Sequence, residues 1–167
     1  AARRTLDELV DGLDPVASGG GLEAAVTRLA QAAGHVVRTT GRIPRDLDDA
    51  LARAIWFACA EALANIGKHA PDAHATIALG IQDSPRALVL TVTDDGPGGA
   101  DPRGSGLAGL ADRLAMVGGE LEIRSNPGVG TAVAVRVPLG SGPAPAPPQD
   151  GALALVPAGV EQATVEI

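Results

Sequence analysis

Aromatic residues are nearly missing from this sequence, with one Trp, one Phe and no Tyr in 167 positions. The core must therefore be aliphatic, and stacking on aromatic rings is excluded as the main means of recognition. Cysteine occurs once, at Cys59, so no disulfide can form within the chain and a reducing compartment is expected. Positive charge is scarce and scattered: 13 Lys and Arg against 20 Asp and Glu leave a formal charge of −7. That excludes a basic nucleic-acid footprint and a patch for anionic membranes. No uninterrupted apolar run reaches the roughly 18 residues of a membrane span, and no basic-then-apolar leader opens the chain. These absences predict a soluble, cytoplasmic protein with no direct nucleic-acid contact. The chain opens at Ala1 without Met, as a fragment of a longer protein would, and the full-length protein could carry a membrane anchor elsewhere.

What is present is enough apolar residues for one domain with an ordinary core. "RRTLDELVDGL" has helical spacing and stops at Asp14-Pro15. "VASGGG" is a joint, and "LEAAVTRLAQAAG" is a helix with Leu22, Ala25, Val26, Leu29 and Ala33 on one face and Gly34 as its stop. "HVVRTT" reads as a short strand. A long helix follows from about Leu47 to His69, with Asp46 as its expected N-cap and Pro71 closing it. Two strands, "ATIALGI" and "ALVLTVTD", flank the turn "QDSPR". The stretch "DGPGGADPRGSG" has five Gly and two Pro in twelve residues, too irregular for helix or sheet. "LAGLADRLAMVGG" is a helix ending at Gly118-Gly119, and "ELEIRS" and "TAVAVRVPL" are two strands around "NPGVG". Grouped helices and hairpin-like strands predict an α+β fold: a two-layer α/β sandwich, with a mixed sheet of about five strands packed on three helices. The expected division is 1–17 as the end of an upstream helix and linker, 18–140 as the domain, and 141–167 as a Pro/Ala-rich linker and tail.

Three stretches carry chemistry. In "IWFACAEALANIGKHA", residues 55–70, helical spacing puts Glu61, Asn65, Lys68 and His69 along one edge of an apolar seam formed by Ile55, Cys59, Ala62, Leu63 and Ile66. An Asn carbonyl is a hard oxygen ligand suited to Mg²⁺, a Lys one turn on offers charge to phosphate, and a Glu one turn back can orient or deprotonate a nucleophile. A solvated polar face would have the same pattern. In "TDDGPGG" a carboxylate leaves a strand into Gly-x-Gly, suited to an exocyclic amine and a flat ligand, although Asp-Gly and Gly-Gly also make plain turns. In "GSGLAGL" a glycine loop runs into a helix, whose free N–H groups suit an anion. A dinucleotide-binding reading of that loop fails because "GGADP" stands where a strand is required. A zinc site of Cys59, His69 and His74 lacks ligand spacing. Metal ligand, amine acceptor and phosphate loop together are what a Mg·ATP site requires.

In this order, "EALANIGKHA", "VTDDGPGG", "GSGLAGLADRLAMVGG" and "PGVGT" resemble the N, G1 and G2 boxes of the ATP-binding domain of bacterial sensor histidine kinases. This is the Bergerat fold of the GHKL group, shared with gyrase, heat-shock chaperones and MutL. The Lys-His-Ala ending and the short glycine loop look most like the NarL/DesK-like subfamily. The resemblance spans roughly residues 22–139. It implies ATP and Mg²⁺ as cofactors, with Asn65 on the metal and Glu61 polarising the acceptor imidazole or its water. It implies Lys68 and His69 on phosphates, and Asp94 on the adenine amino group with Gly96 and Gly98 beneath the ring. Gly104, Ser105, Gly106 and Leu107 would form the lid and phosphate cradle, and Thr131 would close the adenine side.

The implied partners are phosphoacceptor helices of the same protein, a NarL-type response regulator and a second copy in a full-length homodimer. The family's phosphoacceptor His followed by an acidic residue has no match, since His35, His69 and His74 all lack that context. The expectation is a catalytic domain that binds ATP without phosphorylating itself. The rivals are another GHKL-type ATPase, an anti-sigma serine kinase, and an interaction module that keeps the fold but binds no nucleotide.

Overall fold

The structure is a computed structural model, and it describes residues 20–34, 36–40, 43–99 and 105–140. Among these, eight elements follow in order: α1 (Gly21–Ala32), β1 (Val36–Thr40), α2 (Asp49–His69), β2 (Ala75–Asp83), β3 (Arg86–Asp94), α3 (Ser105–Ala115), β4 (Glu120–Asn126) and β5 (Gly130–Pro138). The strands form one sheet in the order β1-β2-β3-β5-β4. β1 is parallel to β2 and every other pair is antiparallel. The expected α+β sandwich is thus the observed fold. The helix expected near residues 3–13 and the tail beyond residue 140 lie outside the described residues.

Alternation along the strands explains the layering. Ile77, Leu79, Leu88, Leu90, Val92, Ile123, Val133, Val135 and Val137 are all buried. The register stacks them into cross-strand rows: Ile77–Val92–Val133–Ile123 and Leu79–Leu90–Val135–Leu121. Residues opposite one another on adjacent strands project from the same face, so these rows form one apolar face against the helices. On the other face, Arg124 of β4 pairs with Glu122 at 2.6 Å.

The helices cover that apolar face by their own periodicity. α1 buries Leu22, Ala25, Val26, Leu29 and Ala30, and Gly34 follows with φ +78°. α3 contributes Leu107, Leu110 and Leu114. It stops in a Schellman turn: the Gly119 N–H donates to the Leu114 carbonyl and the Gly118 N–H to that of Ala115, with Gly118 at φ +67°.

α2 lies at the centre, touching α1, α3, β3 and β5. It is therefore buried on more sides than a single seam provides, and Trp56 is enclosed together with Ile55, Cys59 and Leu63. By length and composition α2 could cross a membrane, yet 61% of its most apolar window is buried in this domain, as in a core helix. Its N-cap is Asp48 rather than the expected Asp46: the Asp48 Oδ1 accepts from the Ala50 and Leu51 N–H groups at 2.8 and 3.3 Å. Leu47 packs against the core just before it, so the chain turns into the helix one residue later than Leu47.

Candidate functional site: the end of β3 and the loops around it

The apolar rows of the sheet stop where the site begins. One step beyond Ile77–Val92–Val133–Ile123, on the same face, the register places Ala75, Asp94, Thr131 and Ser125 side by side. Three polar side chains thus border an aliphatic floor on the side of the sheet that α2 covers. Asp94 and Thr131 are half-buried. The Asp94 Oδ1 accepts from the Gly96 N–H at 2.9 Å. Its other oxygen has no partner among the described residues, which leaves an acceptor for a ligand donor.

The loop after Asp94 is held by backbone on both sides. A methyl group added at Gly98 would come 2.0 Å from the Asn126 carbonyl oxygen, and one at Gly130 would come 2.0 Å from that of Asp94. Both residues also have positive φ, +64° and +115°, which disfavours any side chain. The Gly128 N–H donates to the Pro97 carbonyl at 2.7 Å. On the other side, a methyl group at Gly96 would come 2.6 Å from the Ala70 Cβ. Ala70 is the C-cap of α2. The end of α2, the Asp94 loop and the β4–β5 turn therefore meet.

His74 and Asp95 clasp the outside of this junction. The His74 N–H donates to the Asp95 Oδ1 at 2.7 Å, the Asp95 N–H donates to the His74 carbonyl at 3.3 Å, and the imidazole lies 3.3 Å from Oδ2. The His74 N–H, followed by the ring, holds the Asp95 carboxyl below its ordinary value of 3.8.

On α2, Glu61 and Asn65 are half-buried, and the Asn65 Nδ2 donates to the Glu61 Oε1 at 3.5 Å. That weak tie turns the Asn65 carbonyl away from Glu61, so a hard oxygen is presented. Lys68 and His69 are exposed in the last turn. The helix dipole is negative there, so an anion near this end depends on those two side chains. Cys59, one turn before Leu63, is no nucleophile: burial pushes its thiol up to about 12.

α3 begins at Ser105, so Ser105 and Gly106 lie in its first turn rather than in a loop. The backbone N–H groups of a first turn lack helical partners and suit an anion. The Leu107 side chain is buried, so this residue offers only its N–H. α3 joins the site through α2, with Leu110 and Leu114 in the core cluster of Leu63 and Ile66 and Arg113 4.6 Å above the Phe57 ring. Gly104 lies outside the described residues.

The sequence reading missed Gly130, Ala70 and Ser125. Ser125 was within reach: once "NPGVG" is a hairpin turn, Ser125 stands opposite Thr131.

These residues suit ATP and its metal. Three glycines whose backbones admit no Cβ, beside an uncommitted acceptor, fit a flat base. Among the described residues no group of three His, Cys, Asp or Glu could hold a metal by itself. Mg²⁺ would rest on Asn65 and on nucleotide oxygens, in keeping with an ion that takes few protein ligands.

Residues 22–137, α1 through β5, match the family described as histidine kinase-like ATPase domain. The chain belongs to that family. Over 82 residues this ATPase domain is 38% identical to the signal transduction histidine-protein kinase/phosphatase UhpB of Salmonella typhimurium, which covers 47% of the chain but 16% of UhpB. The domain thus spans about a sixth of that relative's length. Its fold is similar to the histidine kinase domain of the Erythrobacter litoralis EL346 blue-light activated histidine kinase, with TM-score 0.58, 22% identity, and coverage of 83% of this chain and 73% of that one. A longer form of the same kinase gives TM-score 0.61, 23% identity and coverage of 83% and 53%. Full-length ShkA in complex with AMPPNP gives TM-score 0.52, 17% identity and coverage of 83% and 30%. At these identities the structures establish the fold.

Proposed function

We propose that the domain binds Mg·ATP at the end of β3 and, within a longer NarL/DesK-like sensor kinase, donates the γ-phosphoryl group to a His on dimerisation helices. Relay to the Asp of a NarL-type response regulator would follow, with the full-length protein acting as a homodimer. The observation that carries this reading is the half-buried Asp94, with one oxygen held by the Gly96 N–H and the other open beside glycines that leave no room for side chains.

In this reading the open oxygen of Asp94 accepts from the adenine 6-amino group, Gly96 and Gly98 lie beneath the ring, and Thr131 closes the adenine side. Lys68, His69 and the N–H groups of Ser105, Gly106 and Leu107 offset phosphate charge. Asn65 holds Mg²⁺, which neutralises charge on the phosphate oxygens when bound. Glu61 orients the acceptor imidazole and takes its proton, directly or through a water. The bond from the imidazole nitrogen to the γ-phosphorus forms as the bond to the β,γ-bridging oxygen breaks, and ADP leaves. Positioning and charge neutralisation supply most of the catalysis in such transfers. The described His69 and His74 sit in the nucleotide-binding helix and in the Asp95 clasp, so this chain alone is not expected to phosphorylate itself.

The test is calorimetric titration of ATP into the wild-type chain and Asp94→Asn. An amide keeps an oxygen for the Gly96 N–H, so the loop stays held while the charged acceptor is lost. Affinity should fall about 10-fold to 100-fold, the value of a hydrogen bond to a charged group. Unchanged ATP affinity would refute the assignment. Asn65→Asp should alter chiefly the Mg²⁺-dependent part of binding.

A further inference from the structure

The sheet has a second face, turned away from the helices. Its rows alternate with the apolar ones: Ala78–Thr91–Ala134–Glu122 and Gly80–Val89–Arg136–Glu120. Ala78, Val89 and Ala134 take no part in the core shared with the helices, and neither do Ala87 and Ala132. In a two-layer sandwich such a face commonly meets water. Here its middle is closed: Ala87 is 0% exposed, Ala132 8% and Thr91 5%. Alanines flank Thr91 on both neighbouring strands, and their methyl groups are too short to enclose it. The Thr91 hydroxyl also has no hydrogen-bond partner among the described residues. Water serves an open threonine, but a covered one needs an acceptor from whatever covers it.

We propose that residues 152–167, "ALALVPAGVEQATVEI", fold back onto this face and cover Thr91. Pro138 ends β5 opposite Ala87, on this same face, and the Leu139 N–H donates to the Arg86 carbonyl. The chain therefore leaves the sheet at a corner of the face. Residues 140–151, "GSGPAPAPPQDG", follow. A proline-rich connection of that length reaches roughly 35 Å, further than the roughly 30 Å of a strand such as β3. The segment it carries opens with an unbroken apolar run at residues 152–156, which water does not favour. Its Leu and Val side chains suit a floor of Gly and Ala, and its backbone carbonyls suit the Thr91 hydroxyl. Charge agrees. Residues 141–167 contain no Lys or Arg but include Asp150, Glu161 and Glu166. Arg136 on the face has only long ties, 3.8 Å to Glu120 and 3.4 Å to the Pro85 carbonyl. A tethered segment also acts at an effective concentration on the order of millimolar, an advantage that a second copy of the chain lacks. Asp94 projects from the opposite side of the sheet, so this docking does not depend on the ATP reading.

The experiment reads thiol labelling on the full 167-residue chain. Ala134→Cys places a half-buried reporter beside Thr91. The native Cys59 does not compete, because burial pushes its thiol up to about 12. Adding Leu153→Asp and Leu155→Asp should speed maleimide labelling of the reporter about 10-fold, the protection that a millimolar effective concentration gives to a contact of ~0.1 mM affinity. An Asp112→Cys reporter, exposed on α3, should keep its rate. No acceleration at Ala134→Cys would overturn the inference. So would protection that rises with protein concentration, the mark of a second copy in the segment's place. A second measurement holds whether or not the aspartate variant folds: with Ala134→Cys and Leu155→Cys in an otherwise unchanged chain, a short bismaleimide should join the two thiols within one molecule. Links between molecules only, or no links, would overturn the docking.

Discussion

At its start α2 is closed by its own chain, where the Asp48 carboxylate takes the N–H groups of Ala50 and Leu51 and the apolar turns that follow sink into the core. At its finish it is closed by a distant part of the molecule. Ala70 meets the backbone at Gly96, and that loop is locked in turn against Asn126 and Gly130. The first end depends on a side chain and on burial; the second depends on backbones too close for any Cβ. The chemistry-bearing side chains sit near the second end. The lesson is that one helix can serve as a core element and as a site wall, provided each end is fixed by different means.

The largest effect should come from breaking the second end. Gly98→Ala places a methyl group against the Asn126 carbonyl in a left-handed conformation. It should cost about 3 kcal/mol or more in denaturant titration and abolish ATP binding. Gly99→Ala also has positive φ, +75°, but meets nothing within 4 Å. It should cost only the conformational part, about 1–2 kcal/mol. Equal costs for the two would mean that the backbone contact is not what holds the loop.

The first end should give a smaller and cleaner effect. Asp48→Ala removes the cap and should lower stability by about 1 kcal/mol, with ATP affinity unchanged under conditions where the protein stays folded. A matching loss of ATP affinity would show that the two ends are not independent.

The smallest effect concerns the clasp outside the second end. A carboxyl lowered on folding contributes stability that is fully present above its unfolded value and is lost as pH falls through the folded one. The Asp95 tie to His74 should therefore hold from neutral pH down to about 4 and loosen only in stronger acid. A carboxyl NMR titration should put the Asp95 midpoint below 3.8; a midpoint at or above that value would remove the clasp.

Much of this arrangement is legible in the sequence because it is periodic. The four-residue step from Glu61 to Asn65 and the β-branched run in "ALVLTVTD" reflect local geometry, and the helix and the strand both form. Other features were not legible, because they depend on which strand lies beside which. Trp56 is buried since α2 has neighbours on several sides, a fact absent from its own spacing. The cap at Asp48 instead of Asp46 turns on where Leu47 reaches the core. Gly130 reads as an ordinary turn residue until the Asp94 carbonyl is found against it. The pairing of Asp94 with Thr131 requires β5 to insert between β3 and β4, which chain order does not reveal.

The position of β4 has a consequence for company as well as for shape. It is an outer strand of the sheet, and an open outer strand invites a neighbour's backbone to join it. Glu120, Glu122 and Arg124 stud this one with ions, the last two already paired. An incoming ribbon would have to settle among those charges. Copies of the domain are thus discouraged from merging through β4, and association is left to other surfaces.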